Sequence, residues 1–156
     1  MNMKAISHYF EGRLIRFAIG GFWLLFWFLN VIDKFINQPT FLWAGKDRIT
    51  QFVEYFSSIG IEHINIVLAF LIFVTIIEIA ATLFLAYSLW NLLRKNAVKA
   101  RMWFFWATLT GLGIFTFFAV GDQVFGDRSE LLEHTIFLIA ILISWRAYNH
   151  SLLKEE

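Results

Sequence analysis

Cysteine is absent from the 156 residues. That excludes disulfide exchange, iron–sulfur ligation and thiol nucleophiles, and leaves the compartment open. Charge is scarce too. Asp, Glu, Lys and Arg make up 16% of the chain, where a soluble domain carries about a quarter. The formal net charge is +1, which gives nucleic acid no footing. Proline occurs once, at Pro39, so no long apolar run is broken from within. Unbroken spans leave little room for an alternating-access mechanism. What is present is apolar: 59% hydrophobic residues, 19 Phe, 7 Trp and a mean hydropathy of +0.64. The sequence predicts an all-α, integral membrane four-helix bundle in one domain over residues 1–156.

The stretch from Glu62 to Trp90 anchors this expectation. It is apolar for far longer than the roughly 20 residues that cross a hydrocarbon core, and it carries one carboxylate, Glu78, near its middle. The four spans are expected at residues 14–36, 62–93, 102–120 and 131–148. Residues 4–13 read as a short interfacial helix before the first span. The first apolar run ends in Asn30-Val31-Ile32-Asp33-Lys34 with no small-residue cleavage site, so it is expected to be retained, and Pro39 ends the element. Between spans one and two, Ile49, Phe52, Val53, Phe56 and Ile59 recur at helical spacing opposite Asp47, Arg48, Gln51, Glu54 and Ser58. That pattern predicts an extra amphipathic interfacial helix, on the membrane surface or folded over the bundle mouth. In the third span Gly111 and Gly113 read as small packing positions, residues 121–128 as a tight polar loop, and Ser129 as the cap of the fourth helix.

Nine of the 13 Lys and Arg fall on the side of the two termini and the second connector, and four on the other. The positive-inside rule then predicts both termini in the cytoplasm, in a bacterial inner membrane. Trp90, Trp103, Trp106 and Trp145 fall near that inner face, as an aromatic belt would. The basic set Arg13, Arg16, Arg94, Lys95, Lys99, Arg101 and Arg146 reads most simply as contact with anionic lipid headgroups.

At the outer end all four spans bring polar groups to one depth. Three kinds of chemistry could use them. A metal site would take His63, His134 and Glu130 as ligands, with Asp33 or Asp122 assisting; Glu130 and His134 are i, i+4 and share a face. No Glu-x-x-His occurs, so the di-iron bundle pattern is missing. A quinone-head site would use His63 or His134 as donor and proton relay, with Trp23, Trp27 and phenylalanines lining an apolar slot. Glu78 could relay protons, or it could simply hydrogen-bond between helices. Against all three stands a plain alternative: polar side chains gather where helices leave a bilayer, and aromatic ones pack in cores and against lipid.

Several short stretches carry a family resemblance. They are Arg13-Leu14-Ile15-Arg16-Phe17-Ala18-Ile19-Gly20, Asp33-Lys34-Phe35, Phe56-Ser57-Ser58-Ile59-Gly60-Ile61 and Ile77-Glu78-Ile79. Over about the first 90 residues the chain resembles the DoxX-like family of small four-helix bacterial membrane proteins. The resemblance implies an integral subunit of a larger membrane complex, quinone-linked in some relatives and not catalytic alone. Lys34 and Glu78 are the positions it flags. The partners expected are the lipid bilayer and other membrane subunits, and the cofactor these readings admit is a quinone. The rivals are a structural, lipid-contacting accessory subunit with no site of its own and a proton-conducting protein centred on Glu78.

Overall fold

A computed structural model describes residues 3–36 and 47–150, with side chains from Glu11 onward. Five α-helices make up the described chain: α1 (Met3–Phe35), α2 (Arg48–Ser58), α3 (Ile64–Leu93), α4 (Ala97–Phe125) and α5 (Arg128–His150). Four of them hold stretches long and apolar enough to cross a membrane: Glu11–Phe35, Ile64–Leu93, Ala97–Phe125 and Arg128–His150. The protein is an all-α, multi-pass membrane bundle with a fifth, short amphipathic helix.

Local chemistry sets the helix ends. Asp47 caps α2: its carboxylate accepts from the Thr50 backbone N–H at 3.1 Å and the Thr50 hydroxyl at 2.8 Å. The Asn96 side chain does the same for α4, accepting from Lys99 N–H at 3.1 Å. Helix α2 stops where Gly60 turns left-handed (φ 82°) and Ile61 N–H returns to the Phe56 carbonyl at 2.9 Å. The end of α3 uses the same motif with Lys95 in the left-handed position (φ 57°), and Asn96 N–H bonds the Asn91 carbonyl at 2.9 Å.

Helix α3 packs chiefly on α4 and α1, and α4 packs on α5; α1 and α5 meet along a shorter seam. Around α3 the buried residues are Val67, Leu71, Val74, Glu78, Ala81, Leu85, Ser88 and Leu92. They alternate steps of four and three, the seam of helices packed with a slight supercoil. Glu78 occupies one seam position. The core beneath it holds Trp23, Trp27, Phe104, Ile114, Phe115 and Ile141. A second, smaller cluster of Phe56, Val67 and Leu71, with Phe52, Phe70 and Phe125 against it, fastens α2 over one end of the bundle. Outward positions such as Phe22, Leu25, Ile72, Ile76, Ile139 and Ile143 are exposed and apolar, the surface a bilayer would cover.

Three expectations change. Helix α1 is continuous from Met3, so residues 4–13 are not a separate element; nothing interrupts the hydrogen-bonded turns there. Residues 121–125 belong to α4, which ends only at Gly126 (φ 78°), so the expected loop shrinks to a sharp turn. Ser129 lies inside the first turn of α5, and the cap is Asp127, whose Oδ1 accepts from the N–H groups of Ser129 and Glu130 at 3.1 and 3.0 Å. Pro39 lies outside the described residues.

Candidate functional site: a polar cavity under α2

The intramembrane carboxylate has a partner. Lys34, one residue before α1 ends, places Nζ 2.7 and 2.6 Å from Glu78 Oε1 and Oε2. Nζ also lies 3.5 Å from the Asn30 carbonyl, so the side chain folds back along α1 toward the bundle interior. Glu78 stands about 21 Å along α3 from Ile64 at 1.5 Å per residue. An unpaired carboxylate at such depth would be costly, and a close cation is the ordinary remedy.

Beside this pair lies a cavity of about 260 Å³ to which all five helices contribute. Asn30 and Lys34 come from α1, Arg48 and Tyr55 from α2, Glu78 from α3, Asp122 from α4, and Glu130 and His134 from α5. Between the polar groups stand the rings of Phe52, Phe56, Phe70, Phe117, Phe118 and Phe125. On α5, His134 Nδ1 and Asp122 Oδ2 are 2.6 Å apart, and the imidazole packs 5.0 Å from the Phe118 ring centroid. The carboxylate thereby orients the ring and leaves Nε2 as the nitrogen that can meet a ligand.

A chain of hydrogen bonds ties α2 down as the roof. Arg48 Nε donates to Asp33 Oδ2 at 3.0 Å, and Arg48 Nη1 to Gln51 Oε1 at 3.0 Å. Gln51 Nε2 donates to Glu130 Oε1 at 2.7 Å and to the Tyr55 hydroxyl at 3.0 Å. Tyr55 donates to Asp127 Oδ2 at 2.6 Å. These bonds connect α1, α2, α5 and the turn between α4 and α5. They also move titrations. Burial, and then the bond to Asp127, push the Tyr55 hydroxyl above its ordinary range. Asp127 is held down at about 2, chiefly by the Tyr55 hydroxyl, then by the Glu130 backbone N–H and the Ser129 hydroxyl.

Of the residues singled out from sequence, Glu78, His134, Asp122 and Glu130 meet at this cavity, and Asp33 stands behind Arg48. His63 is exposed at the N-cap of α3 and does not line it. Trp23 and Trp27 are buried in the core below; Trp23 Nε1 donates to Ser144 Oγ at 3.0 Å. Glu130 and His134 do share a face, yet one is engaged by Gln51 and the other by Asp122. Among the described residues no group of three His, Asp or Glu side chains could hold a metal ion. At the far end of the bundle Arg94, Lys95, Lys99, Arg101 and Arg146 are exposed, while Arg13 bonds the Leu92 carbonyl at 3.3 Å and Arg16 is buried.

Sequence reasoning missed Tyr55 as a cavity residue, Gln51 as a member of the hydrogen-bond chain beneath the roof and Lys34 as the partner of Glu78. For Lys34 a signal existed, since a carboxylate in an apolar span demands a cation and few cations lie outside the basic end. Tyr55 and Gln51 sit on an amphipathic helix whose docking face could be settled only by the fold. No protein-family model matches the chain, and neither a curated protein nor a solved structure matches it.

Proposed function

We propose that this chain is a small subunit of a larger complex in the bacterial inner membrane, with both termini in the cytoplasm, and that its cavity holds the headgroup of a quinone. One observation carries the proposal: a single cavity is lined at once by ionisable donors from two helices, Lys34 and His134, and by six phenylalanine rings. The size suits a ring. A cavity of about 150 Å³ takes up benzene, so about 260 Å³ accommodates a substituted six-membered ring. The donor set suits it as well, because quinone carbonyls need hydrogen-bond donors within an apolar slot. The short motifs that resemble the DoxX-like family point the same way.

A bound quinone supplies two-electron, two-proton chemistry, with the electrons coming from a redox partner subunit. The residues of this chain orient and protonate. His134, when doubly protonated, would donate to the ligand through Nε2 while Asp122 accepts from Nδ1. Lys34 presents its ammonium, which Glu78 fixes in place. The roof formed by α2 covers one end of the cavity, and the relay from Asp33 to Asp127 holds that roof.

The test is binding of a tail-less benzoquinone or naphthoquinone to the detergent-purified protein, read by tryptophan fluorescence and calorimetry. Saturable binding is expected, weakened at least tenfold in Lys34→Met and in His134→Ala. Absence of binding, or equal binding in all three proteins, would leave the accessory-subunit role instead.

A further inference from the structure

The cavity can hold a ring, but a membrane quinone also carries a long isoprenoid tail, and about 260 Å³ leaves no room for it. A second cleft supplies the space. It measures about 390 Å³ and lies against the lipid-facing side of α3, floored by Leu68, Ile72, Ile76 and Ile79. These four residues are between 37% and 60% exposed, so the floor is open to the bilayer. They recur at steps of four, four and three and form one stripe about 16 Å long. Phe35 and Ile49 also line the cleft, as do Lys34 and Arg48. The last two side chains line the polar cavity as well. They therefore stand at the boundary of the two spaces.

We infer that the boundary marked by Lys34 and Arg48 is a lateral portal, through which the head of a quinone enters from the bilayer while its isoprenoid tail stays in the groove along Leu68, Ile72, Ile76 and Ile79. This holds only if the cavity takes a quinone head, as proposed above. One feature argues for the tail over an ordinary acyl chain: the groove shares Lys34 and Arg48 with a cavity too small for a whole amphiphile.

The experiment compares two ligands with the same head, one tail-less and one with a long isoprenoid tail, on full-length protein in nanodiscs of zwitterionic lipid. The variants are Ile76→Trp and Ile72→Trp, which fill the groove, and Ile139→Trp, which adds the same bulk on the lipid face of α5. These positions are 60%, 60% and 55% exposed, so each substitution adds an apolar ring where lipid already sits. Groove filling is expected to weaken the tailed ligand at least tenfold and leave the tail-less one unchanged, with Ile139→Trp altering neither. Undiminished binding of the tailed ligand in both groove variants, while the tail-less one still binds, overturns the portal. So does release of co-purified phospholipid from the groove variants with quinone binding intact, which would make the groove a lipid seat. If the wild-type protein binds neither ligand, the quinone assignment of the cavity falls first and the portal with it.

Discussion

Removing either member of the Lys34–Glu78 pair leaves the other charge inside the bundle. The side chains are 12% and 2% exposed, so little water reaches the survivor. Breaking a buried pair in this way costs about 3–5 kcal/mol. Lys34→Met and Glu78→Met are each expected to lower stability in detergent by about 3 kcal/mol, the low end because the cavity is polar. The double variant should return to within about 1 kcal/mol of wild type, since two apolar groups need no pairing. Unfolding in a graded denaturing detergent measures all three, and single variants costing under about 1 kcal/mol would show that the pair is not the partner that matters. The relay under α2 makes a second prediction, in pH. Asp127 is depressed to about 2 in the folded protein. Its contribution is present above the unfolded value near pH 4 and drains away as pH falls toward 2. Tyr55, raised by burial and by Asp127, contributes below about pH 10 and loses that contribution as pH rises further. Tyr55→Phe should therefore flatten the melting-temperature profile at both ends. An unchanged acid limb would mean that the hydroxyl does not hold Asp127 down. Glu78, His134 and Asp122 were visible in the sequence as polar residues in apolar surroundings, but what each one touches was not. A side-chain partner 44 residues away, as Lys34 is from Glu78, leaves no periodic trace.

Within the helices, close approach separates glycines that look alike in sequence. A Cβ on Gly111 would stand 2.5 Å from Ile141 Cδ1 and 3.3 Å from Trp27 Cζ2, both in the buried core. A Cβ on Gly113 would meet nothing within 4 Å. Replacing glycine by alanine inside a helix gains about 1 kcal/mol of propensity, whereas overpacking a core costs about 1–3 kcal/mol. Gly113→Ala should therefore stabilise α4 by up to about 1 kcal/mol. Gly111→Ala should destabilise by up to about 2 kcal/mol after that gain is subtracted. Opposite shifts in thermal unfolding would bear this out, and equal shifts would mean that α4 and α5 do not pack through Gly111. The spans themselves were legible, because length and hydropathy decide them. The ends were less so. Residues 121–125 look like a polar loop, yet α4 runs on until Gly126, where a left-handed residue is needed, and Asp127 takes the capping role that its neighbour Ser129 also suits.

At the scale of the molecule, hydropathy could show that four helices cross a membrane but not which faces meet. Lipid is as apolar as a core, so the seam of α3 from Val67 to Leu92 is set in a helix that is apolar all round, and only Glu78 breaks the uniformity. Orientation is a separate matter, carried by charge outside the spans. An even number of crossings puts both ends of the bundle chain on one side, and the excess of Lys and Arg there argues for the cytoplasm. The cavity and its α2 roof would then face outward. The missing cysteines make this directly measurable, because any cysteine introduced is the only one in the chain. His63 and Lys99 are exposed at opposite ends of the bundle, at the start of α3 and in the first turn of α4. In intact cells a membrane-impermeant maleimide should modify His63→Cys and spare Lys99→Cys, and permeabilised cells should show both modified. The reverse pattern would turn the bundle over and place the cavity on the cytoplasmic side, where a partner would have to be sought instead. Modification of both positions in intact cells would mean that α3 does not cross the membrane, and the portal along its lipid face would lose its bilayer.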